Sequence, residues 1–263
     1  MICHNGNFIE SELESNRGFL FGDGFFESMR FFKNRILFEE LHKKRIQESA
    51  SLLQLDCDDS LIEQIISDIH HLCKENNLLN HARVRLSIYR VGGRLYASNS
   101  NEINYLITAS ELESFYQFSD KGTSLGIFED QLKSPGKYSC IKSLSSQLYV
   151  MASIYAQQNN FDEVVILNHE GNCIEGNTSN LFLIKDDSIV TPPITDGCVD
   201  GVFRNYLIDL LQKENYNVKI ESISHDRIAN ADELFFCNAI KGIRWTQSIE
   251  GNNYQNKKTK DIY

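Results

Sequence analysis

The sequence is poor in chain breakers, in paired cysteines and in positive charge. Its 263 residues include three prolines and fifteen glycines, too few for long disordered or proline-rich linkers. The seven cysteines, Cys3, Cys57, Cys73, Cys140, Cys173, Cys198 and Cys237, are scattered and odd in number. None forms a Cys-x-x-Cys pair, which argues against a disulfide framework or a zinc knuckle. Cys140, beside Lys142, carries only a faint redox signal, because a reactive thiol needs exposure and a lowered pKa. Lysine and arginine total 26 against 36 aspartates and glutamates, a formal charge of -10, so nucleic acid meets no general attraction. No run approaches the roughly 20 apolar residues that span a bilayer, and the opening "MICHNGNFIE" is no signal segment. A cytoplasmic protein without nucleic-acid or membrane partners is the expectation.

With 41% hydrophobic and 24% charged residues, the chain can bury a core in one large or two smaller domains. The opening reads as a hairpin around Asn5-Gly6-Asn7, and "FFESMRFFKNRILF" as a strand whose Lys33-Asn34-Arg35 centre is a second turn. Helices are predicted over 39–54, with Glu39 and Glu40 at the positive end, and over 59–76. The latter repeats Leu61, Ile62, Ile65, Ile66, Ile69 and Leu72 on one face behind a cap at Asp58 or Asp59. Two strand-like runs, "ARVRLSIYRV" and "INYLITAS", complete a small α/β module over residues 1–109. A polar stretch, "ELESFYQFSDKG", carries the chain across 110–122.

The second module, 123–263, opens with a strand at "TSLGIFED". Lys142 then starts a helix whose Leu144, Leu148, Met151 and Tyr155 are spaced to lie against a core. Short strands follow through "EVVILNHEGNCIEGNTSNLFLIKDDSIVTPP", then a helix at 201–215, the strand "YNVKIESIS", a short helix begun by Ser224, "DELFFCNAI" and a strand near 243–249. A polar tail is expected to form a frayed strand. The fold class is α/β with α+β character, in two domains.

Three chemistries invite attention. A cofactor aldehyde needs an amine to hold it and move protons, and Lys142 is the one charged residue between Tyr138 and Tyr155. A lone lysine is more commonly a solvated surface cation, and both readings stand on these residues. Glu175, before a turn of small polar residues, suits the protonated nitrogen of a pyridine ring, or else faces water. A phosphate needs backbone donors and an arginine. The amides of Val202 and Phe203 at a helix start, the Asn238–Ala239 turn and Arg45 on the first helix are candidates. No P-loop or Gly-x-Gly-x-x-Gly fingerprint is present: "FGDGFF" continues wrongly. Arg90, Arg94 and Arg244 are candidate carboxylate ligands or rim residues. His42 supports Arg45 or local packing, His169 reads as exposed, and adjacent His70 and His71 share no helix face for a metal.

Taken in order, these segments resemble the fold-type-IV pyridoxal phosphate enzymes (class IV aminotransferases), which include branched-chain aminotransferases, D-amino acid aminotransferases and aminodeoxychorismate lyases. "NRGFLFGDGFFESMR" is similar to the family's amino-terminal signature and "FEELHKKR" to its His-x-x-Arg element. "IKSLSSQLYVMA" resembles the Schiff-base lysine segment and "EGNTSNLFLI" the glutamate segment. "TPPITDGCVDGVFR" resembles the phosphate turn and "ELFFCNAIKGI" the last cofactor loop. The resemblance implies pyridoxal 5'-phosphate as cofactor, Lys142 as Schiff-base lysine and proton shuttle, and Glu175 at the pyridine nitrogen. It implies Arg45, Val202, Phe203, Asn238 and Ala239 around the phosphate. A small N-terminal α/β domain, a larger C-terminal domain with the cofactor between them, and a homodimer are also implied. Two positions depart from the pattern: Phe203 stands where many relatives carry threonine, and Ser145 where asparagine is frequent.

Among family reactions the resemblance favours 4-amino-4-deoxychorismate lyase, which forms pyruvate and the folate precursor 4-aminobenzoate. "ELFFCNAIKGI" is similar to the lyases' Cys-Asn-(Ala/Ser) ending, and "RVGGRLYAS" to their Gly-Gly-Arg-Gly-Tyr loop except at Leu95. The alternative is an aminotransferase using D-amino or branched-chain L-amino donors. "KSLSSQLYVMA" resembles the D-amino acid enzymes as closely, but Phe26 lies where their substrate-side aromatic is commonly tyrosine. Either way a small-molecule amine is the substrate, with Phe26, Arg90 and Arg94 as candidate contacts. A scaffold that lost its chemistry is disfavoured by the joint presence of Lys142, Glu175 and Arg45, and a Rossmann oxidoreductase by the missing phosphate fingerprint.

Overall fold

A computed structural model describes residues 2–5, 7–9, 15–93 and 95–263. The chain forms two compact units. The first runs to Leu112 and also takes in Lys142–Ser146; the second comprises Glu113–Ile141 and Gln147–Tyr263.

In the first unit, β1 (Ile2–His4) and β2 (Asn7–Ile9) pair antiparallel around Asn5, with Gly6 of the expected turn outside the described residues. A short helix α1 (Arg17–Phe21) leads into β3 (Gly24–Phe32) and β4 (Arg35–Ile36), joined by Lys33 and Asn34. Both turn residues have positive φ, 48° and 60°, the backbone that matches a two-residue hairpin to the strand twist. Helices α2 (Glu39–Leu52) and α3 (Asp59–Glu75) precede β5 (His81–Arg90) and β6 (Ile103–Glu111). Ile62, Ile65, Ile66 and Ile69 are buried along α3, and the Asp58 carboxylate caps it by accepting from Leu61 N–H at 2.8 Å. The four strands form one antiparallel sheet in the order β4-β3-β5-β6. Period-two alternation sends Phe25, Glu27, Met29 and Phe31 to its buried face and leaves Phe26 and Ser28 half-buried on the other.

The second unit begins with β7 (Thr123–Lys133) and α4 (Gln147–Gln158). Four short strands follow, β8 (Glu163–Asn168), β9 (Cys173–Gly176), β10 (Asn180–Lys185) and β11 (Ser188–Thr191). Next come α5 (Val202–Lys213), β12 (Asn217–Ile220), α6 (His225–Ala229) and β13 (Glu233–Asn238). The chain ends with β14 (Gly242–Ile249), β15 (Asn252–Asn253) and α7 (Lys257–Ile262). The sheet order is β12-β11-β10-β13-β14-β7-β8-β9, and β9 pairs again with β10 through Glu175 and Asn180. That second pairing closes a ring of strands and leaves β11 and β12 as an extension. Leu125, Val165, Leu181, Leu183, Leu234 and Phe236 belong to one apolar cluster.

Four features differ from the sequence expectation. Lys142 precedes α4 rather than starting it, and Lys142–Ser146 packs with the first unit instead of the C-terminal module. On α4 the fully buried residues are Ala152 and Ala156, while Met151 is 45% exposed. Small side chains let the helix approach β7 and β8 closely, with Leu148 and Tyr155 only partly covered beside them. Strand β7 continues past the charged Glu129 and Asp130 as far as Lys133. The polar tail becomes α7, whose first turn is held by Glu233: its carboxylate accepts from Lys258 N–H at 2.7 Å and Thr259 N–H at 2.8 Å. No helix among the described residues is long and apolar enough to cross a membrane.

Candidate active site

In the first unit, Lys142 is fixed through its backbone. Its carbonyl accepts from Phe26 N–H at 2.9 Å, Leu144 N–H donates to Gly24 O at 3.0 Å, and Ser143 bridges Phe25. Gly24 permits this approach, since a Cβ there would collide with Ile88 O and press on the Leu144 side chain. So held, Lys142 Nζ lies 4.7 Å from the centroid of Phe26. The guanidinium carbon of Arg85, on the neighbouring strand, is 3.8 Å from the same centroid. Burial, and then Arg83, lower the pKa of Arg85, though a guanidinium stays charged. The sheet face around Phe26 therefore presents two cations and an aromatic surface.

On the opposite face Glu27 gathers two helix residues. Its carboxylate takes Arg45 Nε at 2.7 Å and Arg45 Nη2 at 2.6 Å in a bidentate pair, and His42 Nδ1 lies 2.6 Å from Oε2. Burial pushes the Glu27 pKa up, but Arg45 and His42 together hold it down at about 2. The His-x-x-Arg spacing puts both residues on one side of α2. Arg45 is thereby fixed by one edge of its fork.

Arg90 donates to Asp23 at 3.1 Å, Asn101 at 2.6 Å, and the carbonyls of Leu53 at 2.6 Å and Gln54 at 3.1 Å. It clamps loops of its own unit. Arg94 lies outside the described residues.

In the second unit, Glu175 is 2% exposed on β9. Its Oε1 accepts from Lys133 Nζ at 2.8 Å and Tyr149 Oη at 2.7 Å, and its Oε2 from Val199 N–H at 2.9 Å. Lys133 Nζ also donates to Tyr149 Oη at 2.6 Å. Burial, then Glu175 itself, raises the Tyr149 pKa well above its ordinary value, so the phenol stays a donor. Two carboxylate oxygens offer about four acceptor sites. Three are taken, leaving Oε2 with capacity for one more donor.

Close by in the chain, α5 starts without a capping side chain at Gly201. The first-turn amides of a helix, here beginning at Val202 and Phe203, have no partner within the helix and carry its positive end. A Cβ at Gly201 would collide with Asn180 Oδ1, so the residue preceding the helix must be glycine. Asn238 folds the turn after β13: its Oδ1 accepts from Ile240 N–H at 3.0 Å and Lys241 N–H at 2.8 Å, and its Nδ2 donates to Thr178 O at 3.2 Å. Arg244 is no rim residue; it pairs with buried Glu163, which also accepts from Thr178 and Ser179 and so shapes the turn after Glu175. His169 is exposed.

Sequence reading missed Lys133, Tyr149, Glu27 and Arg85. The signal for Lys133 was a lysine ending a strand, hidden because acidic residues suggested the strand had stopped. Glu27 was a lone acid amid an apolar strand, and its burial alone implied a cationic partner.

The Glu175 donors and uncapped α5 fit a group with a cationic ring nitrogen and an anionic end. Comparison with known proteins gives that fit a family. Residues 24–249 match the model of amino-transferase class IV. The D-alanine aminotransferase of Staphylococcus haemolyticus is 27% identical over 256 residues, covering 94% of this chain and 88% of that protein. The aminodeoxychorismate lyase of Vibrio harveyi is 26% identical, covering 87% and 83%. The crystal structure of 4-amino-4-deoxychorismate lyase from Pseudomonas aeruginosa superposes with a TM-score of 0.87 at 23% identity, covering 97% of this chain and 94% of that one, a likeness of fold. The chain belongs to the class IV aminotransferase family of pyridoxal 5'-phosphate enzymes.

Proposed function

We propose that the protein is a 4-amino-4-deoxychorismate lyase that forms 4-aminobenzoate and pyruvate. The observation that carries this choice is Phe26, a ring without a hydroxyl, 4.7 Å from Lys142 Nζ. By family resemblance the D-amino acid aminotransferases commonly place tyrosine there. The Cys237-Asn238-Ala239 ending of β13 and the likeness to the lyase of Vibrio harveyi support the same reading.

Lys142 is the residue to hold the aldehyde. Glu175 offers Oε2 to the pyridine nitrogen while Lys133, Tyr149 and Val199 keep the carboxylate in place. The amides of Val202, Phe203 and Ala239 would hold the phosphate, and Arg45, which Glu27 orients, is the arginine that the family resemblance assigns to it. Bound pyridoxal phosphate supplies an electron sink for the carbon that bears the substrate amine. Lys142 would take the proton from that carbon and return one to the enolpyruvyl leaving group.

A second reading, an aminotransferase acting on D-amino or branched-chain L-amino donors, is favoured by the 27% identity to a D-alanine aminotransferase. It would use the same residues, with Lys142 returning its proton so that a keto acid is released. Homodimerisation is part of our proposal, supported by an exposed apolar stripe on α4 of Val150, Met151 and Ile154. Cytoplasmic location is supported by the unpaired thiols of Cys57, Cys73, Cys140, Cys173, Cys198 and Cys237.

The test supplies 4-amino-4-deoxychorismate to the pyridoxal-phosphate-loaded protein while 4-aminobenzoate and pyruvate are followed. Equal amounts of both products support the lyase. A visible cofactor band at about 410 to 430 nm without those products, but with keto acid from an amino donor, selects the aminotransferase.

A further inference from the structure

Tyr116 stands in the polar stretch that the sequence offers merely as a connector, yet it touches both elements assigned to the phosphate. Its Oη donates to Ala239 O at 2.6 Å. Its ring meets Phe203 edge to face, with centroids 5.8 Å apart and planes at 79°. It also covers Gly242, where a Cβ would come within 3.1 Å of Cγ and Cδ1 and φ is +69°. One side chain thus spans the first turn of α5 and both ends of the Ala239 turn.

Several polar groups of that turn have named partners. Ile240 N–H and Lys241 N–H go to Asn238 Oδ1, and Ala239 O goes to Tyr116. Ala239 N–H is left without a partner among the described residues. The peptide plane between Ala239 and Ile240 is gripped at both ends, its oxygen by Tyr116 and its N–H by Asn238. Fixing that plane restricts the backbone of Ala239 and so aims the preceding N–H, which has no bond of its own to orient it. The Phe203 contact adds a second effect. Where many relatives carry a threonine hydroxyl, this chain has a ring, and Tyr116 seats that ring so that the backbone amide beside it keeps its direction.

We propose that Tyr116 is a positioning residue for the cofactor phosphate, coupling the α5 amides to the Ala239 amide. This rests on the reading of those two elements as the phosphate cradle. Removing its hydroxyl therefore weakens recognition of the phosphate specifically, not of the pyridine ring or its aldehyde.

The experiment compares wild type, Tyr116→Phe and Tyr116→Leu in binding pyridoxal phosphate and pyridoxal, which lacks the phosphate, each followed by the visible band and by quenching of protein fluorescence. The expected result is a loss in pyridoxal phosphate affinity of about three- to tenfold for Tyr116→Phe, the worth of one hydrogen bond, and a larger loss for Tyr116→Leu. Pyridoxal affinity stays within about twofold, and inorganic phosphate competes less well against pyridoxal phosphate in both variants. Equal weakening of both ligands, or no change in either, overturns the proposal and leaves Tyr116 a packing residue. A wild-type protein that binds pyridoxal phosphate no better than pyridoxal overturns the phosphate cradle itself. Should Tyr116→Phe not fold, Phe203→Leu removes the ring contact from the other side and must show the same selectivity.

Discussion

Lys133 Nζ lies 2.8 Å from Glu175 Oε1, and the pair is almost fully withdrawn from water. The two residues are 42 positions apart, joined because β7 and β9 flank β8 in the sheet. A cation on one oxygen of the carboxylate, and an amide on the other, supply partners in a place where an isolated charge is costly.

Lys133→Met leaves Glu175 with two neutral donors and no counter-charge. The expected result is a loss of about 3 kcal/mol in unfolding free energy of the cofactor-free protein, read from urea unfolding. A loss near zero means the pair contributes nothing net, as holds for exposed pairs.

Lys142 behaves differently, because its backbone holds the segment to β3. Lys142→Ala keeps unfolding free energy within about 0.5 kcal/mol of wild type while the visible cofactor band and product formation are lost. A variant that keeps the band would place the reactive amine elsewhere.

Glu27 links stability to pH. Its carboxyl drops from an ordinary value of 4.5 to about 2 on folding, so the unfolded chain binds the proton more tightly than the folded one. Its contribution is full above about pH 4.5 and disappears as pH falls toward 2. Glu27→Gln flattens the acid limb of a stability-against-pH curve over that window, and at neutral pH lowers stability by about 3 to 5 kcal/mol by stranding Arg45. An unchanged acid limb would assign the wild-type dependence to other carboxylates.

Gly201→Ala introduces a methyl against the Asn180 side chain, whose Nδ2 is committed to Val199 O at 2.9 Å. Overpacking of this kind costs about 1 to 3 kcal/mol. Because Val199 also serves Glu175, pyridoxal phosphate affinity falls together with stability, measured by thermal unfolding with and without the cofactor.

What was legible in the sequence was local. The isoleucine spacing of α3, the Asp58 cap and the Lys33-Asn34 hairpin all rest on contacts within a few residues, and each appears where expected. The face of α4 was misread because alanines give no hydrophobic signal even when closest to the core. The α7 helix was hidden because its cap, Glu233, lies on another strand. Lys142, Glu175 and Arg45 were named from their segments. Their supports, Lys133, Glu27 and Tyr116, were not, since each acts through a partner that only folding brings near.

The assignment of Lys142–Ser146 to the first unit, although its flanks on both sides belong to the second, makes the division of this protein a spatial one with no counterpart in a single cut of the gene. A fragment ending at residue 112 would encode a sheet deprived of the segment that pairs with Phe25 and Phe26, and of Lys142 as well. The remainder would carry that segment with nothing to dock it. Neither half can be borrowed whole by another protein through simple exchange, so substitutions that alter the reaction must accumulate inside an intact chain.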